Sequence, residues 1–109
     1  MTRRFMFWML FCLAAAVWAW AGCATTRDGD LRAAQEYYND ISERKGRVFS
    51  ANPDYRCEDV CGQSESICAL SDKICRLGEN YPGDADFLSR CQAGQNDCGL
   101  ARAKCNACR

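Results

Sequence analysis

Residues 57–108 read CEDVCGQSESICALSDKICRLGENYPGDADFLSRCQAGQNDCGLARAKCNAC, and this stretch decides the fold. Its eight cysteines are Cys57, Cys61, Cys68, Cys75, Cys91, Cys98, Cys105 and Cys108. The second to fourth cysteines are spaced by seven residues, and so are the fifth to seventh. Seven residues are nearly two turns of an α-helix, with a drift of only about 20° per step, so each set lines one helix face. The spacing predicts two helices, each with a stripe of cysteines.

The segment between the two sets of cysteines predicts a tight turn. Gly78 can end the first helix, Pro82 and Gly83 can form the turn, and a following Asp84 can cap the second helix. We therefore expect helices at about 55–78 and 84–107, joined as an antiparallel hairpin.

The cysteine positions also predict how they pair. Facing residues of an antiparallel hairpin have numbers that add to a constant value. When the cysteines are paired outward from the turn, the residue numbers of three pairs have the same sum, and the midpoint of these pairs is Gly83. The sum for the outermost pair differs by one. Eight cysteines allow 105 connectivities, but one nested ladder accommodates all of them with a single geometry. The predicted disulfides are Cys57–Cys108, Cys61–Cys105, Cys68–Cys98 and Cys75–Cys91. The predicted fold class is all-α, an antiparallel helical hairpin cross-linked by nested disulfides.

The residues beside the cysteines fit this hairpin. A disulfide brings two helices close together, and the positions three residues after the seven-spaced cysteines are small or are cysteine. These positions are Ser64, Ser71, Gly78, Gly94, Ala101 and Cys108. An apolar stripe of Val60, Ile67 and Ile74 lies beside the first set of cysteines and is broader than a two-helix seam needs. It offers a docking surface for a further helix, which makes a three-helix arrangement plausible.

That further helix is predicted at 31–45. Leu31, Tyr38 and Ile41 recur at helical spacing, Asp30 can cap the start and Gly46 can mark the end. On this basis residues 23–30 are a tether, 31–45 an amphipathic helix, 46–54 a linker, and 55–109 the cysteine-rich hairpin.

The N-terminus has the parts of an export signal. Arg3 and Arg4 form a basic start, an apolar run follows, and the junction is built of small residues. The sequence Trp20-Ala21-Gly22-Cys23 resembles the lipobox of bacterial lipoproteins, with Trp20 in place of the usual aliphatic residue. This resemblance implies that residues 1–22 are a lipoprotein signal peptide and that Cys23 is lipidated. Several acyl chains on one residue give stable membrane anchoring.

The resemblance also implies a location. Ala24 follows the lipobox cysteine where inner-membrane lipoproteins have Asp, so we expect the protein on the periplasmic side of the outer membrane. An uncleaved signal anchor and plain cleaved secretion are the alternatives. All three routes lead out of the cytoplasm and into compartments where disulfides persist.

Composition excludes several classes of function. The chain of 109 residues has no histidine, which excludes Ser-His triads, histidine metal ligands and c-type haem attachment. Basic and acidic side chains number 14 each, and loss of Arg3 and Arg4 with the leader makes the remainder slightly acidic. A nucleic-acid binder usually has a basic face, so we expect no nucleic-acid partner. Acidic residues near the predicted helix starts suit the helix dipole, and we predict no catalytic site, no enzyme activity and no cofactor.

The stapled hairpin is similar in design to the twin-cysteine helical hairpins of the mitochondrial intermembrane space, which use nine residues between cysteines where this chain uses six. The whole pattern also resembles small cysteine-rich bacterial lipoproteins. Both resemblances bear on the fold and imply no activity.

Three functional hypotheses remain open. In the first, the domain is a structural or protein-binding module with an envelope partner, and the bridges serve stability. In the second, reduced cysteines bind a soft metal, Cu(I) or zinc; the even cysteine count and mirrored spacing favour bridges instead. In the third, Cys105 and Cys108 are a redox motif, which is typical near a βαβ unit; bridging to the neighbouring helix is the better interpretation here.

Overall fold

The computed structural model describes residues 27–50 and 55–109, which fold as helices without a strand in those ranges. The first helix, α1, covers residues 27–48. Helix α2 spans Cys57–Glu79 and helix α3 spans Ala85–Cys108. Residues 31–109 form one compact unit. The all-α prediction and the three-helix arrangement are confirmed. The predicted signal peptide (residues 1–22), the lipidation site Cys23 and the first half of the tether lie outside the described residues.

The turn between α2 and α3 forms as its sequence predicts. Gly83 has a φ of 78°, in the left-handed region that favours glycine. Asp84 caps α3, because its carboxylate accepts a hydrogen bond from the Asp86 amide at 3.0 Å. The rings of Tyr81 and Phe87 stack with centroids 4.7 Å apart across the turn. The residues of the turn therefore fold the chain back into an antiparallel hairpin.

Gly78 has a different role from the predicted one. We expected it to end α2, but the helix continues to Glu79 and is capped at Asn80. A Cβ atom at position 78 would lie 3.3 Å from the Cβ of Phe87. The glycine thus allows the close approach of α3 at the turn rather than terminating α2.

Four disulfides join α2 to α3, and they are the predicted pairs. Their Cα–Cα distances lie between 4.7 and 5.6 Å. The bridges are Cys57–Cys108, Cys61–Cys105, Cys68–Cys98 and Cys75–Cys91. Because every bridge connects the same two helices, the hairpin is covalently closed along its whole length.

Small residues fill the seam between the bridges. A Cβ atom at Gly94 would lie 3.1 Å from Oγ and 3.3 Å from Cβ of Ser71. Ser71 is buried and its hydroxyl has no hydrogen-bond partner among the described residues. Such a group normally costs stability. We conclude that serine fits at position 71 because the seam requires a small side chain there, and not because its hydroxyl makes a hydrogen bond.

Helix α1 is longer than predicted at both ends. Residues 27–30, expected in the tether, are helical, so Asp30 does not begin the helix. A single glycine such as Gly29 disfavours a helix by only about 1 kcal/mol relative to alanine, which the packed turns that follow offset. At the other end the helix passes Gly46 and reaches residue 48, because Val48 is buried in the core at 2% exposure.

Helix α1 docks on the hairpin through a heptad stripe. The buried apolar residues of α1 and α2 recur by sevens as Ala34, Ile41, Val48 and as Val60, Ile67, Ile74. Tyr37 meets Lys73, and Arg44 meets Gln63, so α1 runs antiparallel to α2. Residues 31–109 are therefore an up-down-up bundle with its apolar core between α1 and the hairpin.

Candidate functional site

The end of the hairpin that lies away from the turn concentrates four cysteines. Cys57 and Cys61 stand in the first turns of α2, and Cys105 and Cys108 in the last turn of α3. The Sγ atoms of Cys57 and Cys61 are 4.0 Å apart although they belong to different bridges. The three Sγ atoms of Cys57, Cys61 and Cys108 all lie within 4.8 Å of one another. We name these four residues the terminal cysteine cluster.

The other bridges do not approach one another in this way. Seven residues rise about 10.5 Å along a helix, so the sulfur atoms of Cys61 and Cys68 belong to separate layers. The outermost bridge breaks the seven-residue repeat and sits one helical turn from its neighbour instead of two. Two disulfides consequently lie side by side at this end of the domain.

The surroundings of the cluster are polar and partly open. Cys108 is exposed, whereas Cys105 is 7% exposed. The Sγ atom of Cys108 lies 3.1 Å from the carbonyl oxygen of Cys105. Arg56 and Arg109 flank the cluster in sequence and are exposed, as are the acidic residues Glu58 and Asp59.

A groove runs along α2 and α3 next to these bridges. Its volume is about 420 Å³, within the range of small-ligand and peptide sites. Two acids and two arginines give it both signs of charge. The residues that line it are Cys61, Ser64, Glu65, Cys68, Ala69, Asp72, Arg102, Cys105, Asn106 and Arg109. None of them is among the residues that bond to α1.

Polar contacts fix α1 on the hairpin. The Lys45 ammonium lies 2.9 Å from the carboxylate of Asp97, whose side chain is only 6% exposed. The hydrogen bond to Asp97, and then its charge, raise the pKa of Lys45 above the ordinary lysine value. A buried carboxylate needs such a partner, and the docked α1 supplies it through Lys45.

Two further hydrogen bonds reach from α1 to the hairpin. Arg44 donates to Asp40 on its own helix and to Gln63 on α2, at 3.0 and 2.9 Å. Arg90 on α3 donates to Gln35 at 2.8 Å. These contacts reinforce a docked α1 and leave the terminal cysteine cluster untouched.

The predicted site residues that the structure describes are the eight cysteines of the hairpin. The eight cysteines are brought together as bridges, and Cys105 and Cys108 each bond to α2 and not to one another. The side-by-side placement of the terminal bridges was missed, although the break in the repeat at Cys57 and Cys108 signals it. The Lys45–Asp97 pair was also missed, because the sequence carries no signal of which charges face across two helices.

Comparisons of the chain with protein-family models, with curated proteins and with solved structures gave no match. Across residues 27–50 and 55–109, no helix combines the length and apolar character needed to cross a membrane.

Proposed function

We propose that the chain is a cell-envelope lipoprotein, anchored through Cys23 to the periplasmic side of the outer membrane, with a non-catalytic helical domain that acts as a structural or protein-binding module. The observation that carries the proposal is the nested ladder of four disulfides. Bridges of this kind persist in oxidising compartments, which agrees with an exported protein. The lipobox resemblance at residues 20–23 supports the anchor.

The experiment is intact-mass analysis of the membrane fraction from a bacterial host that makes the full chain. We expect a chain that begins at Cys23, carries three acyl groups and shows eight cysteines that resist alkylation until the protein is reduced. The matched variant Cys23→Ala should lose the lipid and keep the bridges. A chain that retains residues 1–22, or that begins elsewhere, would refute the anchor and leave the stapled domain standing.

For the module, we propose the groove between α2 and α3 as the contact face, because its mixed charges suit a protein partner better than a nucleic acid. A photo-crosslinking residue at Ala69, inside the groove, should capture an envelope protein in living cells. The same residue at the exposed Glu36 on α1 is the control. Equal capture at both positions, or none at Ala69, would contradict the choice of face.

Soft-metal binding through reduced cysteines, with Cu(I) or zinc, is the second candidate function. One observation favours it, namely the three Sγ atoms of Cys57, Cys61 and Cys108 within 4.8 Å of one another. The seven-residue spacing of the inner cysteines gives no comparable cluster on the described helices, since their sulfur atoms lie in separate layers.

A further inference from the structure

We propose that the terminal cysteine cluster is a redox-controlled zinc site: once its two bridges are reduced, Cys57, Cys61, Cys105 and Cys108 bind one Zn²⁺ as four thiolates. The inference deepens the second candidate function and rests on it. It does not depend on the lipid anchor or on the binding module.

The spacing of the ligands is the first argument. Structural zinc sites take four ligands in a tetrahedron at about 2.3 Å, which places neighbouring sulfur atoms about 3.8 Å apart. The Sγ atoms of Cys57 and Cys61 are already 4.0 Å apart, and that of Cys108 lies within 4.8 Å of both. Cys105 is not one of these three, but its sulfur atom is bonded to that of Cys61 and becomes available as the fourth ligand when this bridge is reduced.

The position of the ligands on the helices is the second argument. Cys57 and Cys61 are four residues apart on α2, and Cys105 and Cys108 are three apart on α3. Residues three and four apart share a helix face, so each helix offers a pair of ligands to one ion. Both pairs lie at helix ends, and Cys108 is exposed to a reductant, whereas Cys105 is buried.

The chemistry balances with a dithiol as the reductant. Two equivalents of dithiol each give two electrons and two protons to one bridge, and leave as cyclic disulfides. The four thiols then release four protons as they bind Zn²⁺, and the tetrathiolate carries a net charge of −2. Arg56 and Arg109 beside the cluster, and the amino end of α2, favour that charge. Glu58 and Asp59 in the first turn of α2, and the carboxyl end of α3, oppose it.

The two inner bridges can be compared with the terminal cysteine cluster within the same molecule. Cys75 and Cys91 form a bridge with a sequence separation of 16 near the turn, and Cys68 and Cys98 form the next one. Each inner bridge has one pair of sulfur atoms in its own layer, so reduction there offers an ion two ligands. The proposal thus assigns the zinc to one end of the hairpin only.

The test uses the purified full chain in detergent, reduced with a phosphine without oxygen, and loaded with Zn²⁺ or Co²⁺. We expect one ion per chain by native mass analysis and a tetrahedral tetrathiolate spectrum with Co²⁺. Alkylation followed by peptide mapping should find Cys57, Cys61, Cys105 and Cys108 protected by zinc, and the inner four cysteines modified. This map is read on the wild-type protein and does not require a variant to fold.

Two matched variants each remove one bridge. Cys57→Ser with Cys108→Ser should abolish binding, whereas Cys75→Ser with Cys91→Ser should leave it unchanged. Protection of a different set of cysteines, or binding that survives loss of Cys57 and Cys108, would overturn the site and leave soft-metal binding in place. Absence of bound Zn²⁺ and Co²⁺ would overturn the site and the zinc form of the second candidate function, and would leave its Cu(I) form standing.

Discussion

Two interfaces hold this bundle together, and they differ in kind. Helix α3 meets α2 through four sulfur bridges with glycine, serine and alanine between them. Helix α1 meets the hairpin through a heptad of apolar side chains and a few polar contacts, without a covalent link among the described residues. A small domain can therefore combine a covalent hairpin with one ordinary hydrophobic interface.

Complete reduction should show the largest effect. We expect the free energy of unfolding to fall by more than about 3 kcal/mol, since the innermost bridge alone is worth about that on the chain-entropy model. Urea titrations followed by circular dichroism, with and without a phosphine reductant, measure it. The oxidised phosphine is the control, and an unchanged midpoint would break the comparison by showing that the seam holds without sulfur.

Ile41→Ala addresses the other interface. Ile41 is fully buried, and truncation of such a residue costs about 2–5 kcal/mol. We expect α1 to lose hydrogen-exchange protection while the amides of α2 and α3 keep theirs, because the bridges hold the hairpin. The exposed residue Glu36 on the same helix provides the control, since Glu36→Ala should change stability by less than about 0.5 kcal/mol. Equal loss of protection in all three helices would show that the two interfaces are not independent.

Two glycines on α3 test whether the seam between α2 and α3 requires small residues. Gly94→Ala places a methyl group 3.1 Å from the hydroxyl of Ser71, and such overpacking costs about 1–3 kcal/mol. Gly99→Ala meets no atom within 4 Å and should stabilise α3 by about 0.5–1 kcal/mol. Thermal unfolding of both variants measures the difference. If Gly94→Ala were stabilised as Gly99→Ala is expected to be, small residues would not be required between the bridges.

The ion pair of α1 should show the smallest effect, and the size of that effect depends on pH. The pKa of Lys45 is raised above its ordinary value of 10.5 in the folded state. The contribution of the pair is therefore fully present below pH 10.5 and is lost as the pH rises through the raised pKa.

Lys45→Gln, compared with the wild type by urea unfolding from pH 7 to 11, tests this dependence. We expect a loss of about 1 kcal/mol at pH 7, because the lysine is partly exposed to solvent. The loss should shrink above pH 10.5. Lys104→Gln, at an exposed position on α3, is the control. A loss that stays constant across this range would contradict the assignment to Asp97.

The hairpin could be predicted from sequence because its signals are local or repetitive. The mirrored positions of the cysteines specify antiparallel pairing, and Gly83 with Asp84 specifies the turn. The docking of α1 could be predicted only in part. Ile41 was recognised as a packing residue, but Val48 was assigned to a linker because Gly46 suggested a helix end.

Polar contacts across helices were beyond the sequence. Whether Lys45 reaches Asp97 depends on the rotation of α1, which the summed packing of the core determines. The terminal cysteine cluster could be predicted in part. Its four residues were assigned to the correct bridges, but the predicted pairing does not show that these two bridges lie close together. Their proximity follows from the spacing at this end of the hairpin, which is shorter than the seven residues of the repeat.

The nested order of the bridges also determines how the domain bears force. A pull applied between the chain before Cys57 and the chain after Cys108 passes through the sulfur atoms of the outermost bridge. The intervening hairpin, with its three inner bridges and its turn, carries none of the tension. In mechanical terms the domain is a short inextensible link, and stretching the protein can lengthen only the segments outside that bridge until it is reduced.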